Sequence, residues 1–479
     1  MKLAHTTRAA ALLAILLAGC SVTPPYQRPL VETPTRFKEA SGEWKIAEPA
    51  EAAPRGDWWK AFADPTLDTL EQQAAENNQD LKAGLARLLQ ARAAQQGEHA
   101  RLFPQIGIGA GPTRQRASPA SQRLAADADS SPYTLWRAQA SVDYEADLFG
   151  RISSGVDAAS ADAEQRAALF QSLRLAIQAD VAQGYFSLRE LDTRAAQYRD
   201  TVALRTQELD LIERRFEAGD LSELERARAR TELATARAEA IGVARQRAVA
   251  EHALAILLGR APSAFALPPQ PLQRVALSVP PGLPSALLER RPDIAAAERA
   301  LVAANARIGS ARAAFFPQLS LTGALGYESA QLGDLFNWSS RAFLLGPLAG
   351  TMLTLPLIDG GARRAGVDRA TAVYEEDVAA YRETVLRAFK EVEDNLAHLR
   401  LLGEQIEAQD MAVTSARRAA ALSQTRYREG SVSQLDVIDA ERSVLQQQNE
   451  SVRLDADRAR ATVALIQALG GGWDRAVVD

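Results

Sequence analysis

Two aspartates stand three residues apart in RYREGSVSQLDVIDAERSVL, which runs from Arg426 to Leu445. That spacing puts Asp436 and Asp439 side by side on one helical face. The chemistry open to them is electrostatic. No nucleophile motif, metal-ligand spacing or glycine-rich phosphate loop accompanies them. The chain has four His, one Cys and three Met, which argues against a metal site or a Cys/His pair. GGARRAG, at 360–366, does not match a nucleotide loop and lies at a strand-to-helix junction. We expect no enzyme, no metal and no cofactor beyond a covalent lipid. With net charge −5 and no basic block, nothing suggests a nucleic-acid partner.

A local role is available to one of the two acids. Gly219 and Gly430 each fit the left-handed residue that ends a helix. Each is followed by a capping box, SELE with Ser222 and Glu225, and SQLD with Ser433 and Asp436. Asp436 can therefore reach back to the Ser433 amide and favour the helix start. Asp439 lies beyond the first turn, where a cap cannot use it. It is either a solvated neighbour or part of a site.

The elements that must position these residues are long. No proline occurs between Pro132 and Pro262, nor after Pro356, and both stretches are rich in strong helix formers. Leu169, Leu173, Ile177 and Val181 step by four, continued by Leu188 and Leu191, as a packing stripe does. One helix from Ile152 to about Phe216 would be roughly 100 Å long. Between the helices lie strand-like pieces. In LWRAQASVDYEADLF, Trp136, Ala138, Ala140, Val142, Tyr144 and Ala146 fall on one face. Arg137, Gln139, Ser141, Asp143 and Glu145 fall on the other. PQIGIGAG, PQLSLTGALGYES and SRAFLLGPLAGTMLTLPL supply three more pieces. A soluble sheet and a membrane barrel both fit this alternation. Tyr133, Trp136, Tyr327, Phe336, Trp338 and Phe343 suit an interfacial girdle. Four strands cannot close a barrel, and lipid does not tolerate open edges. A membrane barrel must then be shared: two subunits would give eight strands with a filled interior, three would give twelve and a pore.

The chain repeats itself. Pro104 returns as Pro317 and Asp80 as Asp293, both at an offset of 213. Gly219 returns as Gly430, and Gly259 as Gly470, at 211. We divide the sequence into a signal peptide (1–19), a lipidated N-terminal segment (20–62), a first repeat (63–260), a Pro-rich linker (261–290), a second repeat (291–472) and a tail (473–479). The start is basic, then apolar, and ends in LAGC, which resembles a bacterial lipobox. That resemblance implies cleavage before Cys20, with N-acyl and S-diacylglycerol groups on it. Ser21, not Asp, points to the outer membrane. An ordinary signal peptide with an incidental cysteine is the alternative.

Together these stretches resemble the TolC family of outer-membrane efflux proteins, in its lipid-anchored OprM-like branch. GCSVTPPYQRP, WWKAFADPTLDTLEQQAAENNQDLKAGLARLLQARA, DYEADLFGRI, LPSALLERRPDIAAAE and RYREGSVSQLDVIDAERSVL carry the likeness, in order, over nearly the whole mature chain. The resemblance implies a mostly α protein with membrane β. It forms a homotrimer whose twelve-stranded β-barrel, four strands per chain, continues as a long α-helical barrel into the periplasm. It implies the passive exit duct of a tripartite pump for drugs or other small toxic compounds. The partners would be a periplasmic adaptor, an inner-membrane transporter of the resistance-nodulation-division class, and outer-membrane lipid. A type I protein-secretion outlet is the alternative within the channel class. The hairpin turns at Gly219 and Gly430 would lie at the periplasmic tip, where Asp436 and Asp439 match aspartates that ring the closed gate. Six carboxylates would there favour cations. Some relatives place an arginine at the position of Val432, bonded to an acid matched here by Glu225; Val432 cannot make that bond. Tyr427 matches a tyrosine that bonds the same acid, so a Tyr427–Glu225 link is expected. Arg228 occupies the first-repeat position of Asp439, where it either neutralises the acid ring or stands in solvent.

Overall fold

The computed structural model describes residues 22–39, 56–123, 125, 131–275, 277, 279, 290–344 and 352–471. The proline-free stretches are helices. They are α3 (Arg151–Glu217) and α4 (Glu223–Leu257) in the first repeat, α6 (Ala362–Arg428) and α7 (Gln434–Ala468) in the second. The first and third have 67 residues each, about 100 Å at 1.5 Å per residue. Shorter helices precede them: α1 (Pro65–Asn77), α2 (Gln79–Ala100) and α5 (Pro292–Ala313). The bounds of α3 and α6, and of α4 and α7, differ by 211, so the duplication holds residue by residue.

Five strand pieces form one antiparallel sheet: β1 (Gln105–Gln115), β2 (Tyr133–Ala146), β3 (Gln318–Ser329), β4 (Arg341–Leu344) and β5 (Met352–Thr354). The order is β1-β2-β3, and the two short pieces both lie on the far edge of β3, at opposite ends. The expected fourth strand is thus present as two pieces, and residues 345–351 between them lie outside the described residues. The register carries the alternation of β2 across the sheet. Ile106, Ile108, Leu319, Leu321, Leu325, Phe343 and Leu353 share the face of Ala140 and Val142. Gly107, Gly109, Thr322 and Glu328 share the face of Arg137 and Ser141, where Arg137 pairs with Glu328 at 2.9 Å. The apolar face is bare, with Ile108 89% and Phe343 73% exposed. Phe336 and Trp338 of the expected girdle are likewise exposed.

Two compact units divide the chain, and each draws on both repeats. One takes Arg87–Ala167 and Ala296–Tyr381, with the sheet and the N-terminal residues to Leu30. In it the N-terminal segment lies on helices. Thr23 Oγ1 and Ser154 Oγ are 2.8 Å apart, Asn305 Nδ2 donates to the Pro24 carbonyl, and Arg28 Nε donates to Glu298 Oε1. Gly309 is needed there, because a Cβ would collide with Thr23.

The other unit takes Val31–Ala86, Ala168–Ala295 and Arg382–Asp479. Its core joins Trp58, Trp59, Leu67, Val181, Tyr185, Leu188, Leu254 and Val463. The stripe of α3 enters that core from Leu173 onward, while Leu169 stays 37% exposed. Among the described residues no helix is long and apolar enough to cross a membrane.

Candidate functional site: the two hairpin turns

Helix α3 ends in a left-handed glycine, Gly219 at φ +84°, and α6 in Gly430 at φ +76°. In each turn two amides reach back to free carbonyls. Gly219 N donates to Phe216 O and Asp220 N to Arg215 O; Gly430 N donates to Tyr427 O and Ser431 N to Arg426 O. The left-handed backbone that this paired closure requires is why glycine suits the position best. The next helices then start on capping boxes. The Ser222 amide donates to Glu225 Oε2 at 2.7 Å. The Ser433 amide and hydroxyl both donate to Asp436 Oδ2, at 2.8 and 2.6 Å. The Ser433 hydroxyl and then its amide hold the Asp436 carboxyl below the usual carboxylate range. Glu225 is lowered in the same way, by the Ser222 amide first.

Asp439 is exposed, on the side of α7 away from the buried Val437 and Ile438. It accepts from Arg442 Nη1 at 3.2 Å. That arginine also grips Glu232 on α4, with Nε donating to Oε2 at 2.9 Å and Nη2 to the other oxygen. Arg228 is exposed and makes no ion pair among the described residues, so within one chain it does not neutralise Asp439. Tyr427 is half-buried, and among the described residues it makes no hydrogen bond to Glu225, whose carboxylate is turned to the Ser222 amide instead. The expected Tyr427–Glu225 link is therefore absent within the chain. Val432 is half-buried. Cys20 lies outside the described residues.

The turns and caps thus occur twice, at matched places in two copies of one unit, and the family model for outer membrane efflux proteins matches both copies, at residues 70–260 and 283–471. The chain belongs to this outer membrane efflux protein family. It is 37% identical over 470 residues to the outer membrane protein OprJ of Pseudomonas aeruginosa, covering 97% of this chain and 95% of that one. It is 34% identical over 467 residues to the toluene efflux pump outer membrane protein TtgF of Pseudomonas putida, covering 96% of each. The open-state crystal structure of the MtrE outer membrane channel of Neisseria gonorrhoeae superposes with a TM-score of 0.82. It shares 30% identity and covers 95% of this chain and 99% of that one.

In this efflux protein one contact of the acid pair is legible in the sequence and the longer-range contacts beside it are not. Asp439 and Arg442 sit at i and i+3, a spacing that marks a helical ion pair. Glu232 lies 210 residues from Arg442, and no local signal links them. The same holds for Arg205 on α3, which donates to Glu441 at 2.7 Å across 236 residues. Among the described residues no group of His, Cys, Asp or Glu side chains could hold a metal ion.

Proposed function

We propose that three copies of this efflux protein close their sheets into one twelve-stranded barrel and form the outer-membrane exit duct of a tripartite efflux pump. The observation that carries this is the sheet. One face is apolar and bare, and both edges are unpaired among the described residues. Lipid suits such a face but not such edges, and copies of the same sheet satisfy both demands. Helices of 67 residues continue from the strands, long enough to line a periplasmic tunnel. A periplasmic adaptor and an inner-membrane transporter of the resistance-nodulation-division class complete the pump. Its cargo is drugs or other small toxic compounds; the toluene pump assignment of TtgF supports that class. Cys20 carries the lipid anchor, which mass spectrometry of the N-terminal peptide tests.

Asp436 and Asp439 form an acidic constriction at the hairpin turns, shut at rest. Their exposure on one side of α7 supports this, since neither is used in the core. Native mass spectrometry of detergent-purified protein tests the stoichiometry, and a stable monomer with a closed barrel would refute it. In planar bilayers the wild type should conduct poorly and prefer cations. Asp439→Ala should weaken that preference, and the double variant with Asp436→Ala should weaken it further. Unchanged selectivity in the double variant would reduce the two acids to a cap and a solvated neighbour.

A further inference from the structure

We infer that Arg341 of one copy and Arg114 of the next seat a phosphorylated lipid headgroup of the outer leaflet, on the outside of the barrel at each subunit seam; this rests on the barrel reading above. The register puts both arginines on the bare apolar face. Arg114 stands opposite Thr134, in step with Trp136, and Arg341 stands opposite Tyr327, in step with Phe343. Both lie at the end of the sheet where 116–132 joins β1 to β2 and 330–340 joins β3 to β4. At its other end the sheet runs on into α2, α3, α5 and α6. With those helices in the periplasm, the arginine end meets the outer leaflet. Within one chain β2 and β3 separate the two arginines. Yet β1 and β4 are opposite edges of the sheet, so closing identical copies head to tail brings β4 of one beside β1 of the next.

Charge complementarity names the occupant. The apolar face carries no acid on any described strand. Asp143, Glu145 and Glu328 all take the opposite face, where Glu328 pairs with Arg137 at 2.9 Å and Glu145 with Arg151 at 2.6 Å. Arg114 and Arg341 are exposed and make no ion pair among the described residues. Asp334, the acid of 330–340, accepts from Asn337 Nδ2 at 3.0 Å instead. Arg341 Nε donates to the Trp338 carbonyl at 3.1 Å, and the guanidinium lies over the Trp338 ring. Phe336 stacks edge-on against Tyr327, the cross-strand neighbour of Arg341. The guanidinium is thus held on an aromatic platform with its outer nitrogens unused among the described residues. A charge on the lipid face is costly at mid-bilayer and well tolerated at head-group depth. There the planar fork fits a phosphate through two parallel hydrogen bonds. Phe343 and Leu325, next inward on the same face and both exposed, suit the acyl chains. The lipid that bears phosphate in that leaflet is lipid A.

Native mass spectrometry of the full-length detergent-purified protein, with diphosphoryl lipid A added, counts the lipid retained. Wild type should hold one per seam. Arg341→Ala and Arg114→Ala should each weaken retention about ten-fold, the loss of one charge-assisted hydrogen bond. Arg341→Lys keeps the charge without the fork and should fall between. Arg137→Ala, on the opposite face, should retain lipid as wild type does. Equal retention in wild type and both alanine variants overturns the seat. So does an equal loss in Arg137→Ala, since net charge alone would then explain it. Phosphatidylglycerol at the same concentration should not displace lipid A, and displacement overturns the choice of occupant. A chain that stays monomeric and does not enter lipid nanodiscs overturns the barrel reading, and the seat with it. Trimers that enter the discs while the arginine variants retain lipid fully sink the seat alone. Should an alanine variant fail to assemble, Arg341→Lys must still show the loss.

Discussion

Asn78 and Arg291 occupy the same place in the two repeats and close the same helix end with different chemistry. Asn78 Nδ2 donates to the carbonyl of Leu257, the last residue of α4, at 2.8 Å. Arg291 Nη1 donates to the carbonyl of Ala468, the last residue of α7, at 3.0 Å. The asparagine also accepts from the Leu81 amide and so starts α2. The arginine instead gathers Asp293 and Glu391, at 2.6 Å each. Asn78→Ala should cost about 1–2 kcal/mol, a cap and one buried hydrogen bond. Arg291→Ala should cost about 2–3 kcal/mol, because it removes a buried guanidinium that bonds the Ala468 carbonyl and two carboxylates, although both carboxylates remain within reach of water. Thermal unfolding in detergent should rank them in that order.

Four of the left-handed glycines form two pairs, matched between the repeats, with different tolerance. Around Gly219 and Gly430 nothing lies within 4 Å of where an added methyl group would stand, so alanine there meets only the backbone penalty. That penalty is about 1–2 kcal/mol. At Gly470 the added carbon would lie 2.8 Å from the Arg290 carbonyl oxygen, and at Gly259 it would collide with that of Asn77. Gly219→Ala and Gly430→Ala should assemble normally. Gly259→Ala and Gly470→Ala should lose most assembled protein, read by native gel electrophoresis of membrane extracts.

The N-terminal segment should be released by one methyl group. Gly309→Ala places a carbon where Thr23 now sits, which opens the Thr23–Ser154 contact. Amide exchange in residues 22–28 should speed up, while the sheet in the same unit keeps its protection.

Glu71 should make stability fall as pH rises. It is 1% exposed, and neither carboxyl oxygen has a hydrogen-bond partner among the described residues. Burial first, then Asp57 and Asp68, push it up to about 9 from 4.5. The folded state keeps a proton that the unfolded state loses, so stability is full below the unfolded value. It declines from about pH 4.5 to about pH 9 and then levels. Glu71→Gln should flatten that decline and raise stability at pH 7 by on the order of 2–3 kcal/mol. A parallel pH profile in the variant would count against a buried neutral carboxyl.

Local patterns carry most of the fold. The helix expected over 152–216 spans 151–217, since alanine-rich sequence without proline leaves little choice. The caps at Ser222 and Ser433 are equally legible, because all their partners lie within three residues. The fourth strand is one run by sequence pattern, of which the described residues show Arg341–Leu344 and Met352–Thr354 on the edge of β3. Long-range polar partners are out of reach. Nothing in the sequence around Arg442 names Glu232, and nothing around Glu71 marks it as an acid sealed by packing.

The bare face and the two sheet edges left unpaired among the described residues make maturation a matter of company. A newly made chain offers sticky surface to water and open backbone to lipid, so neither phase is a resting place for it alone. Escort factors in the periplasm would have most to do in the interval before copies meet. A damaged copy that still recognises its fellows would spoil the sound ones it joins, so inheritance of such a defect should be dominant.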